Sequence, residues 1–334
     1  MYILGLESSC DETSAAVVEM GEGKRRILSN IVASQIDVHR LYGGVVPEIA
    51  SRAHIEAVSK ITREALETAG IKLSEIGAVG VTAFPGLIGA LLVGVNFGKS
   101  LAYANNIPLV AVNHVHGHVS AALLENPELE PPFLALVVSG GHTSIYNVKS
   151  YTEYEEIGGT RDDAAGEAFD KIGRVIGLPY PAGAAMDALA REGDKMAVTL
   201  PSPALAGDTL DFSFSGIKTA ALNYINSSRQ AGTEINRADL AASYTEKIVS
   251  AIVKKTEQAL LESGSGKLAV AGGVAANSHL RLALEAMCKK RKVEFYVPPI
   301  SLCGDNAAMI AAAGYYKFLD GKTADTSLNA SALD

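Results

Sequence analysis

The chain alternates short apolar runs with longer amphipathic stretches, in an order that predicts an α/β fold. Strand patterns fill residues 1–35, and the stretch from Pro47 to Gly70 then repeats apolar positions at helical spacing, with proline near its start and glycine at its end. A strand, a helix, a strand and another helix follow. The predicted strands are Tyr2–Glu7, Thr13–Met20, Ile27–Gln35, Ile76–Thr82 and Pro108–Val112; the predicted helices are Pro47–Gly70, Leu87–Tyr103 and one that opens in the histidine-rich stretch at 114.

The same order of elements starts again at Pro132, which indicates a duplicated fold. Its predicted strands are Phe133–Val138, Thr143–Val148, Tyr154–Ile157, Leu268–Ala271 and Val293–Val297; its helices are Arg237–Glu262, Asn277–Lys290 and Asp305–Phe318. Residues 158–236, rich in Gly, Pro, Ser and Asp, interrupt the repeat as an insertion with a predicted helix, Asp163–Ile176. We therefore predict an N-terminal lobe of residues 1–125, completed by the C-terminal helix 305–334, a C-terminal lobe of residues 126–304, and a ligand cleft between the lobes.

Composition narrows the class of protein. Among the 334 residues 48% are hydrophobic and 20% charged, and no apolar run approaches the ~20 residues of a membrane span. The N-terminus lacks the basic start and long apolar stretch of a secretory signal, so we expect a cytoplasmic protein without membrane contact. The cysteines Cys10, Cys288 and Cys303 include no CxxC pair and predict neither a disulfide framework nor a thiolate zinc site.

The net charge of −8 argues against a surface coated in cations for nucleic acid. Two dense basic clusters remain, Lys24-Arg25-Arg26 and Lys289-Lys290-Arg291-Lys292. Each is suited to contact phosphates, but a solvated turn for the first and a cationic helix end that complements the helix dipole for the second are the favoured explanations.

Polar and glycine-rich turns follow the first strand of each repeat. Glu7–Thr13, which contains Asp11, combines short polar side chains with backbone amides suited to a phosphate, and Val137–Thr143 places Gly140 and Gly141 at the matching point. Ala271–Asn277 joins a strand to a helix and is suited to a ribose or phosphate, although it is not the GxGxxG of a dinucleotide site. Simple hairpins and strand-to-helix turns are the alternative interpretation of all three.

His114 and His118 lie four residues apart, which places both imidazoles on one face of a helix and turns His116 away. Val115 stands where the HExxH motif of zinc proteases needs glutamate, so that interpretation fails. Asp305, in the other repeat, offers a further ligand. The residues alone leave a metal site and a hydrogen-bonded helix pair equally open.

Several motifs occur in order between residue 2 and about residue 318: LESSCDET at 6–13, YGGVVPEIASR at 42–52, HVHGH at 114–118, VSGGHT at 138–143, GEAFDK at 166–171, FSGIK at 214–218 and AGGVAAN at 271–277. As a set they closely resemble the bacterial tRNA threonylcarbamoyladenosine transferase family, whose members were formerly described as O-sialoglycoprotein endopeptidases. The resemblance implies the actin, sugar kinase and heat-shock ATPase fold, with duplicated ribonuclease H-like lobes.

The resemblance also implies a reaction, in which the threonylcarbamoyl group of threonylcarbamoyl-AMP passes to the N6 amine of adenosine 37 in tRNAs that read codons starting with A. It implies one divalent ion, Fe²⁺ first and Zn²⁺ second, on His114, His118 and Asp305. The implied adenine-nucleotide positions are Val137, Val138, Ser139, Gly140, Gly141, Asp170, Gly183, Asp187 and Asn277, with Asp11 at the first phosphate loop. The expected partners are tRNA, a related non-catalytic subunit, a small ATPase and a separate synthase of the adenylate, with a homodimer in isolation.

Three positions depart from the family pattern: Phe84 stands for a glycine, and Ala182 and Ala184 for a glycine and a proline. His142 and Glu12 are candidates for the general base. The alternative function is a carbamoyltransferase or kinase of the same superfold acting on a small molecule. A metalloprotease ranks last because of Val115, and a non-catalytic scaffold is disfavoured by the intact histidine and aspartate set.

Overall fold

The computed structural model describes residues 1–21, 23–203, 205, 207 and 209–333. Glu22, which the sequence places in a turn between the second and third strands, lies outside the described residues, as do positions 204, 206 and 208 of the insertion and position 334. The chain divides into two units. Unit one comprises Met1–Pro131, Lys149–Tyr154 and Pro298–Asp334, and unit two comprises Pro132–Val148 and Glu155–Val297.

Unit one is built on a five-stranded mixed sheet. Its strands are β1 (Tyr2–Glu7), β2 (Glu12–Gly21), β3 (Lys24–Ser34), β4 (Ile76–Phe84) and β5 (Leu109–Asn113), in the spatial order β3-β2-β1-β4-β5. The first three are antiparallel, and β4 and β5 run parallel to β1. Its first helices are α1 (Ile36–Arg40), α2 (Pro47–Ala69), α3 (Ile88–Asn105) and α4 (His114–Glu125). The central strand β1 is buried on both faces, which explains its nearly continuous apolar sequence.

Unit two repeats this topology in the order β10-β9-β6-β7-β8. Its strands are β6 (Phe133–Val138), β7 (Thr143–Ser150), β8 (Glu153–Gly159), β9 (Lys267–Ala271) and β10 (Glu294–Tyr296). Its helices are α5 (Ala165–Val175), α6 (Gly183–Ala190), α7 (Ser215–Gln230), α8 (Arg237–Ser263) and α9 (Ser278–Arg291). The predicted duplication and mixed sheets are confirmed, and the turns that follow β1 and β6 occupy equivalent places in the two sheets.

The last helix, α10 (Ala307–Leu319), packs closely against the sheet and helix α4 of unit one, because the residues at these contacts have small side chains. A Cβ atom on Gly5 of β1 would lie 2.1 Å from the Ala307 carbonyl oxygen, and one on Gly117 of α4 would lie 2.7 Å from the Ile310 side chain. Larger residues at either glycine would therefore force α10 outward. This close packing brings the start of α10 to the start of α4.

Two element predictions need correction. The last helix begins at Ala307 and not at Asp305, because the Asn306 side chain caps it by accepting a hydrogen bond from the Met309 N–H at 3.1 Å. The described residues after 320 form turns and a bridge between Leu109 and Ala324, and not an extended C-terminal helix. The insertion, for which at least one helix is predicted, holds α6 and α7 besides the helix named there. No helix of the described chain is both long and apolar enough to cross a bilayer.

Candidate functional site

The histidine-rich stretch begins α4 directly after strand β5. The Asn113 side-chain oxygen accepts hydrogen bonds from the N–H groups of Val115 at 2.7 Å and His116 at 3.0 Å, which fixes the start of the helix. His114 is therefore the first helical residue and His118 follows one turn later on the same face, with 4.7 Å between the two ring centroids. Both rings are buried.

Asp305 joins this pair from the loop before α10. Its Oδ1 atom lies 3.6 Å from Nε2 of His114 and 3.3 Å from Nε2 of His118. One ligand atom from each of the three residues lies within 4.8 Å of the others, so the group fits a single metal ion. The structure brings together the three residues that the sequence suggests as ligands, and Asp305, although it belongs to the second repeat of the sequence, lies in the same unit as the histidines.

His118 supplies the test of whether a metal ion fits. Its side chain is fully buried, and neither ring nitrogen has a hydrogen-bond partner among the described residues, since the 3.3 Å approach to Asp305 lacks hydrogen-bond geometry. A buried imidazole without partners costs free energy, which a metal–ligand bond at Nε2 offsets. Two imidazoles and one carboxylate are a donor set suited to iron, zinc or manganese.

Glu7, at the end of β1, holds His114 from behind. Its Oε2 atom lies 3.0 Å from Nδ1 of His114 and accepts a hydrogen bond from the Thr82 hydroxyl at 2.7 Å, while the Ser9 hydroxyl lies 3.1 Å from the same Nδ1. An Nδ1–H donated to a carboxylate leaves the Nε2 lone pair directed at the Asp305 side, the arrangement that orients metal-bound histidines.

The carboxylates around His114 control its protonation. Burial opposes its charged form, but Asp305 and Glu7 outweigh burial and together raise the pKa of His114 to about 9. Burial likewise opposes the charge on Glu7, and the neighbouring His114 holds the pKa of that carboxyl below its ordinary value. A metal ion must displace the proton at Nε2, so metal binding in this group is coupled to proton release.

His116 is separate from the trio, as predicted. Its ring stacks on Tyr154 with centroids 3.9 Å apart, and burial, with a smaller contribution from Lys317, lowers its pKa to about 4. The third histidine of the cluster is therefore a neutral packing residue.

The predicted nucleotide positions of unit two are joined by contacts between turns. The turn after β6 is packed from two sides: the Gly166 N–H of α5 donates to the Ser139 carbonyl oxygen at 3.2 Å, and a Cβ on Gly272 would lie 2.3 Å from the Val138 carbonyl oxygen. By contrast, a Cβ on Gly140 or Gly141 would have no atom within 4 Å. The exposed side of this turn is therefore bare backbone.

Two aspartates hold the starts of helices α6 and α9 by hydrogen bonds. Asp170 of α5 accepts from the Ala182 N–H at 2.6 Å, next to Gly183, the first residue of α6. Asp187 of α6 accepts from the Ser278 N–H at 3.0 Å, at the start of α9. We call the turns at 138–141, 182–183 and 272–278, linked in this way, the turn cluster. Asn277 caps α9 within it by accepting from the Leu280 N–H at 2.9 Å.

Asp11 lies in the turn after β1, and the two general-base candidates lie at the first residue of β2, Glu12, and in the turn after β6, His142. Asp11 is buried, and its carbonyl oxygen accepts from the Gln35 N–H at 2.9 Å. Burial, followed by the charges of Asp305 and Asp11, raises the pKa of Glu12 to about 10. The His142 N–H donates to the Ser139 hydroxyl at 3.0 Å and shapes the glycine turn.

Comparison with known proteins identifies the family. The family model described as TsaD, tRNA N6-adenosine threonylcarbamoyltransferase, matches residues 26–312. The chain belongs to this family. A relative of that name from Clostridium botulinum (strain 657) is 54% identical over 328 residues, covering 98% of this chain and 96% of the relative, and one from Clostridium novyi is 52% identical with the same coverage. The chain is therefore a transferase of the tRNA-modifying class.

Solved structures confirm the fold. HypF from T. kodakarensis superposes with a TM-score of 0.63 at 13% identity, covering 98% of this chain and 49% of that protein. Component A of the Acidaminococcus fermentans (R)-2-hydroxyglutaryl-CoA dehydratase gives 0.56 at 15% identity, covering 95% and 98%. These likenesses show that the chain has the same fold as these proteins, in agreement with the two mixed sheets flanked by helices.

Sequence reasoning missed the roles of Glu7 and His54. His54 of α2 is buried, with Nδ1 2.7 Å from the Thr13 hydroxyl and Nε2 2.9 Å from the Cys10 carbonyl oxygen, so it holds the turn that contains Asp11. Glu7 was visible as a carboxylate at the end of an apolar strand, a costly place for an unpaired charge. The sequence does not indicate that its partner is His114, which lies 107 residues away.

Proposed function

We propose that the protein transfers the threonylcarbamoyl group of threonylcarbamoyl-AMP to the N6 amine of adenosine 37 in tRNAs that read codons beginning with A. The proposal is supported by family membership over most of the chain and, above all, by the intact trio of His114, His118 and Asp305. A scaffold without chemistry has no need to keep the ring nitrogens of His118 buried and without hydrogen-bond partners among the described residues.

The trio holds a divalent cation in this proposal, Fe²⁺ in the first place and Zn²⁺ in the second. Bound there, such an ion stabilises negative charge that develops on an oxygen of the acyl donor. Glu7 keeps the His114 tautomer whose Nε2 lone pair can bind the ion, and the Ser9 backbone N–H and the Thr82 hydroxyl, which both donate to Glu7, keep that carboxylate in place. Val115, buried beside the histidines, provides no base for peptide hydrolysis.

The turn cluster holds the adenylate in this proposal. Backbone N–H groups of Gly140 and Gly141 lie where no Cβ blocks an anion, and the start of α9 adds the positive end of a helix dipole. Asp170 accepts a hydrogen bond from the Ala182 N–H just before α6, and Asp187 accepts one from the Ser278 N–H at the start of α9. We therefore assign both aspartates first to shaping the turn cluster. The weakly nucleophilic adenine amine gains its reactivity chiefly from positioning.

We infer a cytoplasmic protein that works with other chains. A net charge of −8 gives the surface little general attraction for tRNA, which fits assembly with a related non-catalytic subunit and a small ATPase, with the adenylate delivered by a separate synthase. A homodimer is expected when the protein is isolated. Size-exclusion chromatography of the protein alone and with each purified partner tests this assembly.

The reaction is tested by incubating the protein and its partners with threonine, bicarbonate, ATP and unmodified tRNA, followed by mass spectrometry of the nucleosides. We expect threonylcarbamoyladenosine in tRNA with adenosine at position 37, and none in a matched transcript with guanosine there. An absence of product beside an active positive control contradicts the proposal. A carbamoylated or phosphorylated small molecule formed without tRNA supports the alternative function.

A further inference from the structure

The two basic clusters of the sequence have different surroundings. In the first, Lys24 and Arg26 both pair with Glu19, at 2.9 and 3.4 Å. Arg25 donates from Nη1 to the carbonyl oxygens of Leu123 at 2.6 Å and Asn126 at 3.2 Å, at the end of α4. The first cluster is therefore used within unit one.

The second cluster ends α9 and is largely unneutralised. Lys289, Lys290 and Lys292 are exposed, and their side chains form no hydrogen bond or ion pair with any residue that the structure describes. Arg291 differs, because its Nε atom lies 2.6 Å from a Glu257 carboxylate oxygen, which ties the end of α9 to α8. We call the three free lysines the α9 basic end.

The helix dipole does not account for three free cations. A helix C-terminus carries about half a negative charge, which one lysine in the last turn satisfies. In a chain with a net charge of −8, the α9 basic end stands out as a local positive field suited to a polyanion. Lysine ammonium groups on flexible stems bind phosphates as point charges, without recognising sequence.

The distance between the α9 basic end and the turn cluster indicates which part of a bound polyanion the lysines would contact. Helix α9 starts at Ser278, beside Asn277, and runs 14 residues, about 21 Å, to the basic end. This length corresponds to about six nucleotides of one strand at roughly 3.4 Å each. We propose that Lys289, Lys290 and Lys292 bind tRNA backbone phosphates several nucleotides from the modified adenosine. The inference rests on the proposed function, because it takes tRNA as the substrate.

The test compares two variants that each lose two positive charges: K289Q/K290Q at the α9 basic end and K24Q/R26Q in the paired cluster. Binding of fluorescein-labelled unmodified tRNA to the full-length protein is followed by anisotropy between 50 and 200 mM salt. We expect K289Q/K290Q to lower the slope of log affinity against log salt by about 2, since each phosphate contact contributes roughly 0.9. The slope of K24Q/R26Q should remain that of the wild type.

In the reconstituted reaction, K289Q/K290Q should raise the KM for tRNA about tenfold and leave kcat unchanged, because phosphate contacts far from the reacting amine act on binding. An unchanged salt slope and KM, an equal effect in both variants, or no tRNA binding by the wild-type protein would overturn the inference. Formation of product by the wild type alongside an unchanged KM in K289Q/K290Q refutes this inference alone. No product from the wild type refutes the proposed function itself.

Discussion

The candidate metal centre and the turn cluster use different parts of the polypeptide. The metal centre consists of the side chains of His114, His118 and Asp305 in unit one, of which the two histidines are buried and the aspartate is partly exposed. The turn cluster of unit two offers backbone, and Asp170 of α5 and Asp187 of α6 bind the starts of α6 and α9. A site made of side chains is lost when one of them is shortened, whereas a site made of backbone is lost only when a Cβ atom enters it or the turn changes shape.

The largest effect should come from shortening a metal ligand. His118→Ala and Asp305→Ala should each lose bound metal and lower the rate of threonylcarbamoyladenosine formation more than about 100-fold, because the ion loses one of three protein ligands. Plasma mass spectrometry of the purified variants measures the metal. The control is His116→Phe, which keeps the stack on Tyr154 and should keep the metal. Full metal content in His118→Ala would exclude this centre.

The second effect concerns the carboxylate behind the centre. Glu7→Gln keeps acceptor capacity for Thr82 but replaces the charged partner of His114, so metal affinity should fall about 10- to 100-fold. Titration of metal-depleted protein by calorimetry measures it. Thr82→Val is the milder comparison, since it removes one hydrogen bond to Glu7 and leaves its charge. Equal affinities in Glu7→Gln and wild type would show that Glu7 is only a structural residue.

The third effect separates turn shape from turn access. Gly272 has a φ of +94° and lies against the Val138 carbonyl oxygen, so Gly272→Ala should lower the free energy of unfolding by about 2 kcal/mol. Gly140→Ala meets no atom and should change stability by less than about 0.5 kcal/mol, yet weaken adenine-nucleotide binding about tenfold if the bare backbone contacts the phosphate. Denaturant unfolding and nucleotide titration of both variants distinguish the two roles. Unchanged nucleotide affinity in Gly140→Ala would remove this turn from the binding site.

Much of this arrangement was accessible from the sequence. The strands Tyr2–Glu7 and Phe133–Val138 have their predicted bounds because they are buried on both faces and end in polar turns. The pairing of His114 with His118 followed from helical geometry. From the sequence, Asp305 is only a candidate ligand, because its position beside the histidines depends on the packing of α10 against β1 and α4.

What the sequence did not reveal depended on tertiary contacts. Helix α7 carries apolar residues at intervals of four, Ile217, Ala221 and Ile225, a pattern that predicts a helix. The turn-rich composition of the flanking sequence hides this pattern. Helix α6 is eight residues long, too short for periodicity to stand out, and is held by the Asp170 contact at its start. The links between the helix starts of the turn cluster join residues 12 to 91 positions apart, which no local pattern predicts.

The smallest effect is a pH dependence of stability at the turn cluster. Burial opposes the charge on Asp187, but hydrogen bonds from His279 and Ser278 outweigh it and hold the pKa of this carboxyl below its ordinary value. A carboxyl with a depressed folded-state pKa contributes stability that is present above its unfolded pKa near 3.8 and is lost as pH falls through the folded value. Asp187→Asn should therefore lower the free energy of unfolding by about 1–2 kcal/mol at pH 7. Below pH 4 the stability of this variant should fall less steeply than that of the wild type. Thermal melts from pH 7 to pH 3 measure this, with the exposed Glu192→Gln as control. Parallel curves for Asp187→Asn and wild type would show that the link between α6 and α9 does not depend on the charge of Asp187, and would leave the turn cluster defined by its backbone alone.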